Sequence, residues 1–147
     1  MKIAGIDYGT VRIGIAVSDV DNVFALPLQT YVRKSESKDA EFFKSFAKNE
    51  NIERIVIGLP LHLSGDVSEK AAEVLEFGEW LGELTGLQID YYDERYTSVE
   101  AERILRQAKL TDKKRKERRD MIAAQILLSS YIDSGCQGIS DYYGIDG

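Results

Sequence analysis

Three acidic positions stand where a chain of alternating strands and helices would bring them together. Asp7 closes the apolar run Ile3-Ala4-Gly5-Ile6, Asp93-Glu94 closes the run that begins at Leu87, and Asp120 stands at the expected start of the last helical segment. In an open α/β sheet, the ends of neighbouring strands are where ligands collect. Crowded carboxylates repel one another unless a cation lies between them, and a set of hard oxygen donors favours magnesium or manganese. Asp7, Asp93 or Glu94, and Asp120 could then hold one or two ions that orient a water and stabilise the leaving oxygen of a phosphodiester. A plainer use exists for each acid. Asp is a common turn residue, and Asp120 at a helix start would complement the macrodipole. Asp7 stands apart because Tyr8-Gly9-Thr10 follows it, where glycine permits close backbone approach and the Thr10 hydroxyl can reach phosphate.

Alternation sorts the later acids. In a strand, Leu87, Ile89, Tyr91 and Asp93 share one face, while Gln88, Asp90, Tyr92 and Glu94 share the other. One acid of the Asp93-Glu94 pair is therefore structural.

The cations are unevenly spread. The segment 112–119 carries Lys113, Lys114, Arg115, Lys116, Arg118 and Arg119 against Asp112 and Glu117, a local charge of +4 in a chain of net −6, which leaves −10 elsewhere. An acidic chain does not coat nucleic acid nonspecifically. A local basic run could still hold the backbone beside a cut, or could be a solvated linker. Arg12 and Arg95 lie beside motif acids and could brace them or bind phosphate, since a guanidinium suits both partners. Tyr8, Tyr91, Tyr92 and Tyr96 could stack on unpaired bases, although tyrosines in strands are also ordinary core residues.

The elements that must position these residues follow from apolar periodicity. Residues 2–7 and 13–18 read as two strands joined by a turn, and 23–31 as a third whose Pro27 implies an edge or a break. Phe42, Phe43 and Phe46 recur at helical spacing from a cap at Ser37 or Asp39 to Asn49. Arg54-Ile55-Val56-Ile57-Gly58 is apolar throughout, as a strand covered on both faces would be. Val74, Phe77, Leu81 and Leu84 mark a second helix ending near Gly86, and 87–93 is a further strand. Thr97 with Glu100 forms a capping box for a third helix carrying Ala101, Ile104 and Leu105; the basic run follows, and a last helix spans 120–132. The order βββ-α-β-α-β-α-α implies an α/β protein with a mixed five-stranded sheet, an antiparallel meander followed by parallel strands, and helices on both faces.

At 147 residues, 44% hydrophobic and 30% charged, the chain reads as one globular domain over 1–133 with a loosely held, glycine-rich tail over 134–147. It has one cysteine, Cys136, which excludes an intrachain disulfide and a cysteine metal cage. No run is long and apolar enough to span a membrane, and nothing at the N-terminus resembles a signal peptide, so a cytoplasmic location is expected.

The runs Gly5-Ile6-Asp7-Tyr8-Gly9-Thr10-Val11-Arg12-Ile13-Gly14, Ile55-Val56-Ile57-Gly58-Leu59-Pro60-Leu61, Asp93-Glu94-Arg95-Tyr96-Thr97-Ser98 and Asp120-Met121-Ile122-Ala123-Ala124 resemble the YqgF/RuvX family, in order and over nearly the whole chain. The resemblance implies an RNase H-like fold related to the RuvC junction resolvases. It implies a nuclease that matures the end of precursor 16S rRNA, with a ribosomal precursor particle as a partner, or one that resolves DNA junctions. Asp7 matches the first-strand carboxylate, Glu94 the acid of a central later strand, and Asp120 that of the last helix. Junction resolvases of the RuvC type carry a further acid one turn beyond, where this chain has Ala123, and His62 stands where the family commonly has asparagine. Two rival classes are an actin-like ATPase lobe, because Gly5-Ile6-Asp7-Tyr8-Gly9-Thr10 resembles a phosphate motif, and a catalytically idle RNA-binding module. The first should turn over ATP and the second should cut nothing.

Overall fold

The computed structural model describes residues 1–19, 21, 24–61, 67–94, 103, 107 and 112–139, with backbone alone at 112, 113 and 115–117. Its strands are β1 (Ile3–Asp7), β2 (Arg12–Ser18), β3 (Ala25–Val32), β4 (Arg54–Leu59) and β5 (Gln88–Asp93). The helices are α1 (Glu36–Asn49), α2 (Glu69–Thr85) and α3 (Asp112–Asp133). Five strands form one sheet in the order β3-β2-β1-β4-β5. The β1–β2 and β2–β3 pairs are antiparallel, and β1–β4 and β4–β5 are parallel. This is the expected mixed sheet.

Each face of the sheet has its own core. Ile6, Ile15, Ile57 and Tyr91 pack with Phe43 of α1 and with Val74, Phe77 and Leu81 of α2. Ile3, Ala16 and Val56 pack on the other face with Ala124, Leu128 and Tyr131 of α3. Residues paired across the sheet share a face, so the registers Ile6↔Ile57↔Tyr91 and Gly5↔Val56↔Asp90 divide the two cores strand by strand. β4 supplies both, which is why Ile55, Val56 and Ile57 are all buried. Each such side chain contributes about 1.5–3 kcal/mol.

Pro27 sits on edge strand β3 opposite Ala16, where the register shifts between Ile15 and Ala16. The missing N–H falls at an irregularity of an edge, where no ladder partner is lost. The cap of α1 is Ser35, two residues before the first expected candidate: its extended backbone lets the side chain accept from Lys38 N. Asp39 is instead buried, accepting from Tyr31 Oη at 2.7 Å, Lys34 N at 2.9 Å and Arg33 Nε at 3.2 Å, so it ties the end of β3 to α1. α2 ends as expected, with Gly86 at φ 71 donating to Gly82 O.

Two expectations are corrected. The last helix begins at Asp112 and not Asp120, so the basic run occupies its first two turns. Lys, Arg and Glu are good helix formers, and no Gly or Pro between 112 and 133 interrupts them. The strand carrying the later acids, β5, is also an edge of the sheet and not central. The helix expected from Thr97 lies outside the described residues except Arg103 and Gln107, which are helical. Of the expected tail, 134–139 is described; Ile139 is buried with the α1–α2 core.

Candidate active site

The sheet's alternation decides which acids meet. Asp7 ends β1, and its register places it on the α3 side with Gly5 and Ile3. Tyr92 packs on that same side, so Glu94, two residues on, follows it there. Asp93 shares the parity of Tyr91 and is buried on the α1–α2 side, opposite to Asp7. The Asp7 and Glu94 carboxyls lie within hydrogen-bond reach of one another.

Neighbouring glycines make that arrangement possible. β4 lies between β1 and β5, and a Cβ at Gly58 would stand 2.5 Å from Glu94 Oε1 and 2.8 Å from its Cγ. Glycine therefore leaves the Glu94 side chain its place. On the other flank, a Cβ at Gly14 of β2 would collide with the Asp120 backbone, so glycine lets α3 approach closely enough to present Asp120. The Asp120 carboxylate is half-buried, and Arg12 Nε donates to its Oδ2 at 3.1 Å.

Electrostatics follow from the crowding. Burial pushes the Asp7 carboxyl well above its usual range, and the Glu94 charge and hydrogen bond push it further, with a smaller push from Asp120. Burial likewise raises Glu94, and the Asp93 charge adds to this, while the Asp7 hydrogen bond and the Lys70 ammonium oppose it. Two such carboxyls titrate as a unit and favour sharing a proton unless positive charge is supplied.

The structure thus brings Asp7 and Glu94 into contact and Asp120 close by. Among the described residues, no three acidic, histidine or cysteine side chains already stand in a ligating cluster, and Asp120 is paired with Arg12. The donor set fits a hard divalent cation: the ligands are oxygens, and two of them are crowded together in a buried pair. Thr10 is exposed at the β1–β2 turn and lines, with Arg12, Lys70 and Asp120, a cleft of about 540 Å³. Lys114, Arg118 and Arg119 are exposed in the first two turns of α3, and the backbone at Lys113, Arg115 and Lys116 is helical there too. Arg95, Tyr96 and His62 lie outside the described residues.

The stacking expectation is corrected for Tyr91, which is fully buried in the core. Tyr8 is already engaged: its ring lies 4.8 Å from Phe77, and its hydroxyl accepts from Arg33 Nη1 at 3.1 Å. Sequence reasoning passed over Gly58 and Lys70. Lys70 carried a readable signal: it is a base in the first turn of a helix, where acids are favoured.

This sheet order, with acids at the ends of β1 and β5 on either side of β4 and a third on the helix across them, defines the RNase H-like class. Solved structures agree on the fold: Thermus thermophilus RuvC in complex with a Holliday junction superposes with a TM-score of 0.60 at 16% identity, over 94% of this chain and 98% of that one. Fowlpox virus resolvase in complex with Holliday junction DNA gives 0.60 at 11% identity, over 93% and 100%. The chain belongs to the RuvX family, whose profile is described as Holliday junction resolvase and matches residues 1–134. A relative from Rhodopirellula baltica, described as a candidate pre-16S rRNA nuclease, is 45% identical over 133 residues, covering 90% of this chain and 77% of its own. One from Syntrophomonas wolfei with the same description is 41% identical over 142 residues, covering 97% and 100%. The chain is a nuclease of this family.

Proposed function

We propose that the protein is a metal-dependent endonuclease that hydrolyses phosphodiester bonds in precursor 16S rRNA, in the cytoplasm and on the RNA of a ribosomal precursor particle. The observation that carries this reading is the Asp7–Glu94 carboxylate pair, held on one face of the sheet with Asp120 beside it, in a chain 45% identical to a relative described by that activity. Asp7, Glu94 and Asp120 would hold magnesium or manganese, Asp120 exchanging its Arg12 contact for the ion. The bound ion would supply an oriented water and charge stabilisation at the leaving oxygen. Arg12, once released, would face the cleft with Thr10, where a guanidinium and a hydroxyl suit phosphate oxygens. Arg95, next to Glu94 in sequence, would serve the same phosphate. Lys113, Lys114, Arg115, Lys116, Arg118 and Arg119 would grip the flanking backbone without reading its bases.

The family's description favours a DNA four-way junction as a second substrate. Ala123 stands one turn beyond Asp120, where RuvC-type resolvases carry a further acid, so this chain would bring one ligand fewer to that reaction. Incubating wild type, Asp7→Asn and Glu94→Gln with labelled precursor 16S rRNA, a four-way junction and plain single strands tests both. We expect divalent-dependent cuts in the precursor, and none with either variant or with chelator. Preferential cutting of the junction would move the assignment to DNA, and undiminished cleavage by Asp7→Asn would falsify the site.

A further inference from the structure

α2 is an acidic helix with one base. Its seventeen residues carry Glu69, Glu73, Glu76, Glu79 and Glu83, and Lys70 is their only cation. That lysine stands in the first turn, just after the Ser68 cap, where the helix's own amide dipoles disfavour positive charge. Local helix physics would place an acid there, as it does at Glu69. A residue that runs against local preference calls for a gain elsewhere.

The gain lies in the cleft. Lys70 is exposed and lines the same space as Thr10, Arg12 and Asp120, and its charge acts on both Asp7 and Glu94. It comes from α2, whereas Arg12 comes from β2, so the cleft receives cations from two independent elements. A phosphodiester entering over Asp7 and Glu94 brings its own negative charge toward two carboxylates. Arg12 is paired with Asp120, and Lys70 is the cation of this cleft whose charge acts on Asp7 and Glu94.

Resting on the nuclease reading above, we propose that Lys70 is a substrate-binding residue of this site, its ammonium holding a non-bridging oxygen of the scissile phosphate against the Asp7–Glu94 pair. Lysine serves such a role as a compact point charge on a long stem, able to follow the phosphate as the bond is cut. Glu69 and Glu73 line the same cleft, so Lys70 is the one cation that α2 offers there to a phosphate.

Lys70→Ala and Lys70→Arg test the proposal, with Lys48→Ala at the far end of α1 as a control for lost charge. One labelled RNA is used for two measurements, cleavage in magnesium and equilibrium binding in chelator as salt is raised. Lys70→Ala should lower kcat/KM about 10- to 100-fold, the loss expected for a charged hydrogen bond. It should also make the plot of log affinity against log salt shallower by about 0.7, one phosphate contact on a single strand. Lys70→Arg should recover most of both, and Lys48→Ala should match wild type. Unchanged cleavage and slope in Lys70→Ala overturn the proposal. So does unchanged slope and kcat/KM with altered melting or tighter magnesium binding, which would make Lys70 only a counter-charge for the acids. If wild type binds RNA but cuts nothing, the nuclease reading fails, and the salt slope alone then decides for or against the Lys70 contact.

Discussion

Asp7 and Glu94 are held together against their mutual repulsion, and that has a measurable consequence for the residue pair. Removing one charge should relieve the fold: Asp7→Asn is expected to melt above wild type in chelator while losing cleavage. Magnesium should reverse the order. An ion bound only by the folded chain adds about 2.7 kcal/mol at a hundredfold excess over its Kd, and the variant would forgo it. Thermal melts of both proteins with and without magnesium decide this, and equal shifts would place the ion elsewhere. Asp39 behaves oppositely. Burial works to raise its carboxyl, but the Lys34 amide, the Tyr31 hydroxyl and the Arg33 guanidinium outweigh burial and hold it below the ordinary aspartate value of 3.8. The same contact pushes the Tyr31 phenol up to about 12, chiefly through its burial. A lowered acid favours the folded state above its unfolded pKa, and that contribution is lost as pH falls through the folded one. Asp39→Asn should therefore cost about 2–3 kcal/mol at neutral pH and progressively less below about pH 4. Urea midpoints from pH 3 to 7 measure the gap, and a gap that persists at pH 3 would mean that Asp39 acts through shape alone.

At the scale of elements, two glycines separate fold from activity. A methyl at Gly58 meets the Glu94 side chain, whose end can move, whereas a methyl at Gly14 meets backbone of α3, which cannot. Gly58→Ala should therefore lose most cleavage with a small change in stability. Gly14→Ala should lose about 1–3 kcal/mol by overpacking, along with activity. Denaturant curves beside a cleavage assay check the pair, and a fully active Gly58→Ala would mean Glu94 is not held where it is needed. The strands were legible in the sequence to within a residue or two, because alternating and continuous apolar runs register directly as half-buried and buried strands. The start of α3 was not. A polar run without apolar period carries no periodic signal, and its helical state rests on propensity and on continuity with the packed half that follows. For the site, alternation along 87–94 puts the two acids on opposite faces, but only the register across β4 says which of them shares a side with Asp7. Lys70 carries a local signal, a base in a first helical turn, but the cleft it lines depends on a layer contact that no local pattern encodes.

Over the whole molecule, charge varies from helix to helix: α2 is acidic, and the first two turns of α3 hold a dense basic run in which Lys114, Arg118 and Arg119 are exposed. A helix turns its residues about 100° apart, so about three of the six cations between 113 and 119 can face a single strand. Replacing Lys114, Arg115, Arg118 and Arg119 with alanine should flatten the salt dependence of RNA binding by about 2 on the log–log plot, and similarly for unrelated sequences. Titrations on one labelled strand test this, and an unchanged slope would return the run to solvent. The layering also bears on how the protein is made. β3 ends at Val32, and the helix that covers that face of the meander begins at Asp112, so eighty residues must be synthesised before it can be roofed. At about 5–20 residues per second, the nascent hairpins carry a bare apolar face on the order of 4–16 seconds, long enough to attract chaperones or a neighbouring chain. Production of the protein should accordingly be more sensitive to ribosome pausing between 33 and 111 than after 133.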